Sequence, residues 1–264
     1  IRNLSKNRFK RKIFDQIKTI AIDEHYHSHA VERGCDKKII HIPSTLFNPE
    51  LFSARKNVSS PVKIIVPGSI DKNRRDYSMI INFISQLLKK TGNFEIVLLG
   101  DPIGEYGKEI QNQSRAINEK AGKKIIHYYD KNYNDNEFAQ QLISGHLLIA
   151  PLLPEFELDG IKEYYGVSKS TGSCFDILAF AIPGIFPSWL SVNKNFSSSI
   201  LSYENENDLT DLIFDLIQHP EKIDQLRKNA LVNSSRYSIE NVRSSVLKSL
   251  PVSGKLSIHN LNNH

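Results

Sequence analysis

The sequence predicts an α/β protein built on a doubly wound parallel sheet. Downstream of Pro61, short apolar segments alternate with amphipathic segments of helical length. This alternation is typical of right-handed β-α-β crossovers, which place parallel strands side by side with helices on both faces of the sheet. Gly68 and Gly100 follow the first two apolar segments. Because ligands of such sheets bind beyond the carboxyl ends of the strands, these glycines lie where a binding site is expected.

The first sixty residues have a less regular pattern. Residues 9–16 and 24–34 have helical periodicity, and the short apolar runs 17–22 and 38–42 are expected to be strands. Residues 43–60 are polar and bounded by prolines, which predicts a linker.

From residue 62 onward each element can be assigned in order. The predicted strands are 62–66, 94–99, 124–128, 147–150 and 184–186. The predicted helices are 76–91, 104–121, 134–144, 173–180, 207–218, 220–233 and 239–250. Apolar residues at helical spacing between Met79 and Leu88 support the first of these helices. Residues 251–264 are predicted to form a polar tail.

The composition, 40% hydrophobic and 24% charged, is ordinary for a globular protein. No apolar run approaches the roughly 18 residues that a membrane span needs. The only cysteines, Cys35 and Cys174, are far apart and lack metal-ligand spacing, which predicts a cytoplasmic location. His25 and His29 have the i, i+4 spacing of zinc ligands, but a solvated helix surface explains them better, so no metal site is predicted.

Positive charge is concentrated at the N-terminus of a chain whose net charge is +5. The basic residues there are Arg2, Lys6, Arg8, Lys10, Arg11 and Lys12. A solvated helix face is the simplest interpretation, and peripheral contact with anionic lipid on the inner face of a membrane is the alternative. Nucleic acid is not expected as a partner, because no recognised motif or aromatic-basic interleaving accompanies this cluster.

The segment 163–176, EYYGVSKSTGSCFD, is the most informative in the chain. It follows an apolar strand that ends at Pro151 and leads into an apolar helix that ends at Pro183. A strand, a loop rich in Gly, Ser, Thr and Lys, and a helix N-terminus together form an anion site, since backbone N–H groups and the helix dipole point at one spot. Asp176, one turn into the helix, could accept hydrogen bonds from a ribose. The combination suits a sugar nucleotide, whereas no GxGxxG motif indicates NAD.

Several side chains are candidates for binding such a donor. Arg74 and Lys169 are expected to clamp the diphosphate, with plain surface charge as the alternative. Gly68 and Gly172 would let the backbone approach the ligand, although either could be an ordinary turn glycine. Three loop hydroxyls could bind phosphate oxygens or cap the helix, namely Ser170, Thr171 and Ser173.

Residues 62–245 resemble the C-terminal, donor-binding domain of GT-B fold glycosyltransferases, specifically the large retaining family 4. In that family the first strand runs into Gly-Arg-Leu, with Lys-Gly a few residues later. This chain has Gly68-Ser69-Ile70 followed by Arg74-Arg75, so Ser69 stands where the family has an arginine. The Gly-rich turn after the family's second strand is similar to the segment from Gly100 to Gly104.

The acidic motif of the family is also similar. The family's fourth strand ends in Pro-Ser, followed by Glu-x-Phe-Gly and by a second Glu in Glu-Ala-Met-Ala-x-Gly-x-Pro. Here Glu163-Tyr-Tyr-Gly166 resembles the first part and Asp176 to Pro183 the second, with Asp in place of Glu. The family separates its two acids by seven residues, whereas twelve separate Glu163 and Asp176. The insertion contains the run from Lys169 to Ser173.

The resemblance implies a Rossmann-like half of a GT-B fold. It implies that residues 1–55 end an N-terminal acceptor domain and form a linker, and that residues 56–250 bind the nucleotide sugar. The absence of Met before Ile1 favours a fragment, expected to bind donor without transferring it. The resemblance also implies donor-sugar contact, and hence a catalytic role, for Glu163. It places the nucleotide base near Tyr129, though aromatic packing explains that residue almost as well.

The resulting hypothesis is a glycosyltransferase of polysaccharide biosynthesis. It would move a hexose from a nucleotide diphosphate sugar to a saccharide or lipid-linked acceptor without a metal or other cofactor, and the resemblance implies retention of configuration. Two alternatives stay open. One is a non-catalytic module that binds a nucleotide sugar or glycan, and the other is a nucleotide-sugar epimerase of the same fold.

Overall fold

The computed structural model describes residues 12, 14–32, 34–53, 58–128, 134–158 and 160–250. These residues divide into two compact units. One comprises the described residues up to Ser44 together with those from Ile239 onward, and the other is Thr45–Ser238. The sequence-based boundary after residue 55 differs from this division, since the larger unit begins at Thr45.

The smaller unit contains a parallel pair of strands, β1 (Thr19–Ile22) and β2 (Lys38–His41). A 3-10 turn (Glu24–Tyr26) and helix α1 (His27–Glu32) connect them, where the sequence predicted one continuous helix. The Asp23 carboxylate accepts the His25 N–H and so begins that turn. A later helix of this unit, Ile239–Ser249, contacts β2.

The larger unit contains the remaining strands of the described chain. In chain order they are β3 (Val62–Pro67), β4 (Phe94–Leu99), β5 (Ile126–His127), β6 (Leu147–Ile149), β7 (Glu155–Leu158), β8 (Ile161–Tyr164), β9 (Gly184–Pro187) and β10 (Ile200–Tyr203). Six of them form one parallel sheet in the order β10-β9-β6-β3-β4-β5. The chain winds outward from β3 to β5 and then returns to β6 on the other side of β3. This arrangement confirms the predicted doubly wound parallel sheet and puts its switch point between β3 and β6.

Further helices lie before, between and after these strands. They are α2 (Pro49–Ser53), α3 (Tyr77–Lys90), α4 (Gly104–Ala121), α5 (Asp135–Ser144), α6 (Gly172–Ala179), α7 (Glu206–Gln218) and α8 (Pro220–Ser235), and Ile239–Ser249 of the smaller unit is α9. The start of α3 is fixed by Asp76, whose carboxylate accepts the Met79 N–H at 2.9 Å. Asn134 and Glu137 form a reciprocal capping box at the start of α5. None of the helices in the described ranges has the length and apolar character needed to cross a membrane.

Both faces of the sheet are buried, as in other parallel sheets. Ile64 and Ile65 of β3 belong to different core clusters because successive side chains of a strand point to opposite faces. Phe83 of α3 packs in the cluster of Ile64, and Leu142 of α5 and Ile177 of α6 pack in that of Ile65. The two faces therefore carry separate helical layers.

The structure contains a β-hairpin, β7–β8, that the sequence did not predict. Its strands are antiparallel, and Phe156 pairs with Glu163 across them. Glu163 thus lies in a strand, whereas the sequence prediction placed it in a loop. Strand β10 was also not predicted, and the predicted linker contains the short helix α2.

Candidate functional site

Two glycine turns meet at the carboxyl ends of β3 and β4. A Cβ atom on Gly100 would lie 2.0 Å from the Gly68 carbonyl oxygen, so only glycine fits there. Gly68 itself has φ +100°, and a Cβ on it would lie 2.2 Å from the Arg75 guanidinium. The Tyr77 hydroxyl donates to the Gly68 carbonyl at 2.5 Å, and burial raises the pKa of Tyr77, which keeps this donor protonated. The turn after β3 is therefore tightly held against Arg75.

Arg75 is placed by backbone contacts with the segment that follows β6. Arg75 forms an isolated antiparallel β-bridge with Leu152. The Asp76 N–H donates to the Pro151 carbonyl at 2.8 Å, and the Leu153 N–H donates to the Arg74 carbonyl at 3.1 Å. These bonds join the ends of β3 and β6, the two strands of the switch point.

The Arg75 side chain is 6% exposed. Its Nε has no hydrogen-bond partner among the residues that the structure describes, and none of the ion pairs found within those residues involves it. A buried donor without an acceptor is unfavourable, so the Nε of this guanidinium has an unused capacity to donate a hydrogen bond to an anion. The sequence analysis singled out Arg74 and missed Arg75, although both lie in the same Arg-Arg pair.

The N-terminus of α6 carries a second unused polar group. Thr171 is the N-cap residue, and its hydroxyl accepts the Ser173 N–H at 3.4 Å. Ser173 is buried, and its Oγ has no partner within the described part of the chain. Of the predicted loop hydroxyls, Thr171 therefore caps the helix, Ser173 has a hydroxyl available for a ligand, and Ser170 is half-buried. Gly172 is exposed at the first helical position.

Asp176 lies one turn further along α6, on the same face as Ser173. Burial raises the pKa of the Asp176 carboxyl to about 7, and the Arg75 guanidinium opposes part of this rise. Asp176 is therefore close enough to Arg75 for the two charges to interact. The structure thus brings together Gly68, Arg75 and the first turns of α6.

The free energy of unfolding is expected to fall as the pH rises toward 7, because of Asp176. Its pKa is raised in the folded state, so the folded chain holds a proton that the unfolded chain releases. Between about pH 5 and pH 7 this effect should lower the free energy of unfolding by about 1–2 kcal/mol in total. This is less than the full slope of about 1.4 kcal/mol for each pH unit, because the carboxyl keeps some solvent contact. Urea unfolding of the wild type and of Asp176→Asn at both pH values measures it. Identical pH profiles for the two proteins would contradict the raised pKa.

Arg74 is held by the β7–β8 hairpin. Its Nε donates to the Tyr165 hydroxyl at 3.2 Å, and its guanidinium carbon lies 5.2 Å from the centre of the Phe156 ring. Glu163 lies on the same face of the hairpin, because cross-strand partners such as Phe156 and Glu163 share a face. The Glu163 carboxylate accepts a hydrogen bond from Ser168 Oγ. The hairpin region therefore carries Glu163 and contacts Arg74.

The remaining predicted donor-binding residues occupy less constrained positions. Ser69 is half-buried beside Gly68, and its carbonyl accepts the Asp71 N–H at 2.9 Å. The side chain of Lys169 is exposed, while its backbone closes a turn by donating to the Tyr164 carbonyl at 3.1 Å. Tyr129 lies outside the described residues.

No group of three or more His, Cys, Asp and Glu residues in the described ranges has the arrangement of a metal site. The histidines of the smaller unit contact other groups. His27 Nδ1 lies 2.8 Å from His41 Nε2, and His29 lies 3.7 Å from the Glu32 carboxylate.

The sequence matches no protein-family model and no curated protein. Solved structures do share its fold. Sucrose-phosphate synthase from Thermosynechococcus elongatus superposes with a TM-score of 0.58 at 12% identity over 92% of this chain. A glycosyltransferase from Rickettsia africae gives 0.60 at 13% identity over 92% of the chain. A point mutant of TarM from S. aureus, solved in complex with fondaparinux, α-GlcNAc-glycerol and UDP, gives 0.60 at 14% identity over 92%.

This chain spans 60%, 66% and 46% of the lengths of those three proteins, in that order. At such low identities the likeness establishes the fold alone. The chain has a Rossmann-like half of the GT-B glycosyltransferase fold, as the resemblance in its sequence implied.

Proposed function

We propose that this chain is the donor-binding part of a GT-B glycosyltransferase. It would move a hexose from a nucleotide diphosphate sugar to a saccharide or lipid-linked acceptor. The observation that carries this proposal is the buried Arg75, which lacks a partner for its Nε and lies at the switch point between Gly68 and Asp176. A diphosphate oxygen would supply the acceptor that this Nε lacks.

The diphosphate would be held without a metal. Arg75 and the N-terminus of α6 provide positive charge and hydrogen-bond donors at one place, and Ser173 Oγ adds a hydroxyl. Such fixed donors can stabilise the negative charge that develops on the departing nucleoside diphosphate. Lys169, exposed on the adjacent turn, would reach the same phosphates.

The two carboxylates would take different parts of the donor. Asp176, beside Arg75, would accept hydrogen bonds from the ribose. Glu163 would contact the hexose, with Ser168 fixing its carboxylate and the hairpin holding Arg74 nearby. Retention of configuration follows from the family resemblance.

Nucleoside diphosphates are expected to bind without a divalent cation. Calorimetry of the chain with UDP, GDP and ADP in EDTA tests this, and addition of magnesium should leave the affinity unchanged. Specific binding should also raise the melting temperature by mass action. Binding that requires magnesium or manganese would count against a site built on Arg75 and α6.

Turnover distinguishes the proposed transferase from the two alternatives. A binding module would take up the nucleotide sugar and leave it intact, and an epimerase would return it with altered sugar stereochemistry. Release of nucleoside diphosphate in the presence of acceptor, measured with the full-length protein, is the result that a transferase must give.

A further inference from the structure

A groove lies at the amino edge of the parallel sheet, opposite the candidate donor site. The helices α3 and α4 start at the carboxyl edge and run back, so their C-terminal ends meet at this amino edge. Between those ends is a cavity of about 580 Å³. Its apolar lining comes from Leu88, Ile117 and Ile125.

Lysines surround these three apolar residues, which form the floor of the groove. Lys89, Lys120 and Lys123 line the groove, and all three are exposed. An adjoining cavity of about 550 Å³ shares Lys123 and adds Lys124, with Glu119 as its acidic residue. No ion pair to any of these lysines occurs within the ranges that the structure describes.

Helix dipoles explain only part of this arrangement. Lysines near helix C-termini are favourable, which accounts for Lys89 and Lys120. Lys123 and Lys124 belong to the loop after α4, where Lys123 Nζ donates to the Gly92 carbonyl at 2.7 Å. The dipole argument also leaves the open apolar floor between the lysines unexplained.

We propose that this groove is a contact site for the anionic phospholipids of a bilayer. Lysine side chains at such a surface extend their amines to lipid phosphates while their methylene stems cover apolar area. The apolar floor then meets the boundary between headgroups and acyl chains, which an acidic protein segment would not require. Docking at the amino edge leaves the carboxyl edge, and with it the candidate donor site, open to solvent.

This contact is independent of the basic cluster at residues 2–12, which lies outside the described part of the chain apart from Lys12. It is also independent of the proposed glycosyl transfer, because none of its residues belongs to the donor site. Loss of lipid binding and loss of donor binding are therefore separable.

Co-sedimentation of the full chain with vesicles tests the inference. The wild type should bind vesicles containing phosphatidylglycerol and not pure phosphatidylcholine vesicles, and added salt should weaken binding. The triple variant Lys89→Gln/Lys120→Gln/Lys123→Gln should lose about 100-fold in partitioning, from roughly fivefold for each lysine. Ile117→Thr, which keeps every charge, should weaken binding several-fold because it makes the floor more polar.

A matched triple variant controls for net charge. Lys72→Gln/Lys194→Gln/Lys228→Gln removes three exposed lysines elsewhere in the larger unit and should leave vesicle binding within about twofold of the wild type, since surface charges at a distance are screened. Circular dichroism confirms that all variants are folded. Equal losses in the two triple variants, unchanged binding by Ile117→Thr, or no preference for phosphatidylglycerol would each overturn the proposal. Retention of a polyglutamate peptide instead of vesicles would assign the groove to an acidic protein partner.

Discussion

Replacing Arg75 with methionine is expected to weaken the binding of UDP or GDP by about 3 kcal/mol, roughly 150-fold in Kd. The guanidinium is buried, its Nε has no partner within the described residues, and it lies against the Gly68 turn at the sheet's switch point. A hydrogen bond to a charged group is strongest where water is excluded, so this side chain should contribute more than an exposed cation. Calorimetry in EDTA measures the loss.

Arg74→Met and Lys169→Met are the matched comparisons. Lys169 is exposed and Arg74 only half-buried, so solvent screens both, and each variant should lose about 1–1.5 kcal/mol. A larger loss for Arg74→Met than for Arg75→Met would instead make Arg74 the diphosphate clamp, as the sequence analysis expected.

Thermal unfolding separates a binding defect from a folding defect. In the ligand-free protein Arg75 is a buried cation opposed mainly by a carboxyl whose pKa is raised to about 7. Its replacement by an apolar side chain of similar length should therefore leave the melting temperature unchanged or raise it. A protein that melts much earlier would show that Arg75 chiefly supports the fold.

The fold could be predicted because its signals are local. Strand β4 and helix α4 have the bounds that the sequence predicted, 94–99 and 104–121. A parallel strand buried on both faces is a continuous apolar run, and an amphipathic helix repeats every 3.6 residues, so each can be recognised without its neighbours. The predicted strand at 124–128 shortens to β5 because the Asn118 side chain accepts the Ile125 and Ile126 N–H groups at 2.9 Å.

The site was less predictable because it depends on contacts between distant segments. The sequence cannot show which member of the pair Arg74-Arg75 faces the switch point, since that depends on backbone bonds to the segment after β6. The β7–β8 hairpin was missed although apolar residues alternate with charged ones along it, because each of its strands has only four residues and gives a short signal. The raised pKa of Asp176 follows from tertiary burial, which no local pattern reports.

Replacing Gly100 with alanine is expected to destabilise the larger unit by about 3 kcal/mol, at the upper end for overpacking of a tight site. The added methyl would overlap the peptide unit between Gly68 and Ser69, with the Gly68 carbonyl oxygen at 2.0 Å, its carbon at 2.3 Å and the Ser69 nitrogen at 2.8 Å. Because no flexible side chain can yield, the turn after β3 must move. The corresponding fall in melting temperature is about 6–12 °C for a domain of this size.

Gly172→Ala is the control for stability, since a Cβ at that position has no atom within 4 Å and the residue begins helix α6. It should raise the free energy of unfolding by no more than about 0.5–1 kcal/mol, because alanine is more favourable than glycine in a helix.

Displacement of the Gly68 turn in Gly100→Ala should also move the surface that faces Arg75. The Gly100→Ala variant should therefore bind UDP or GDP more weakly even well below its melting temperature. If Gly100→Ala has the same melting temperature as the wild type, the turns after β3 and β4 are further apart than the 2.0 Å contact requires. The proposed diphosphate site, which depends on the contact between these turns, would then be wrong.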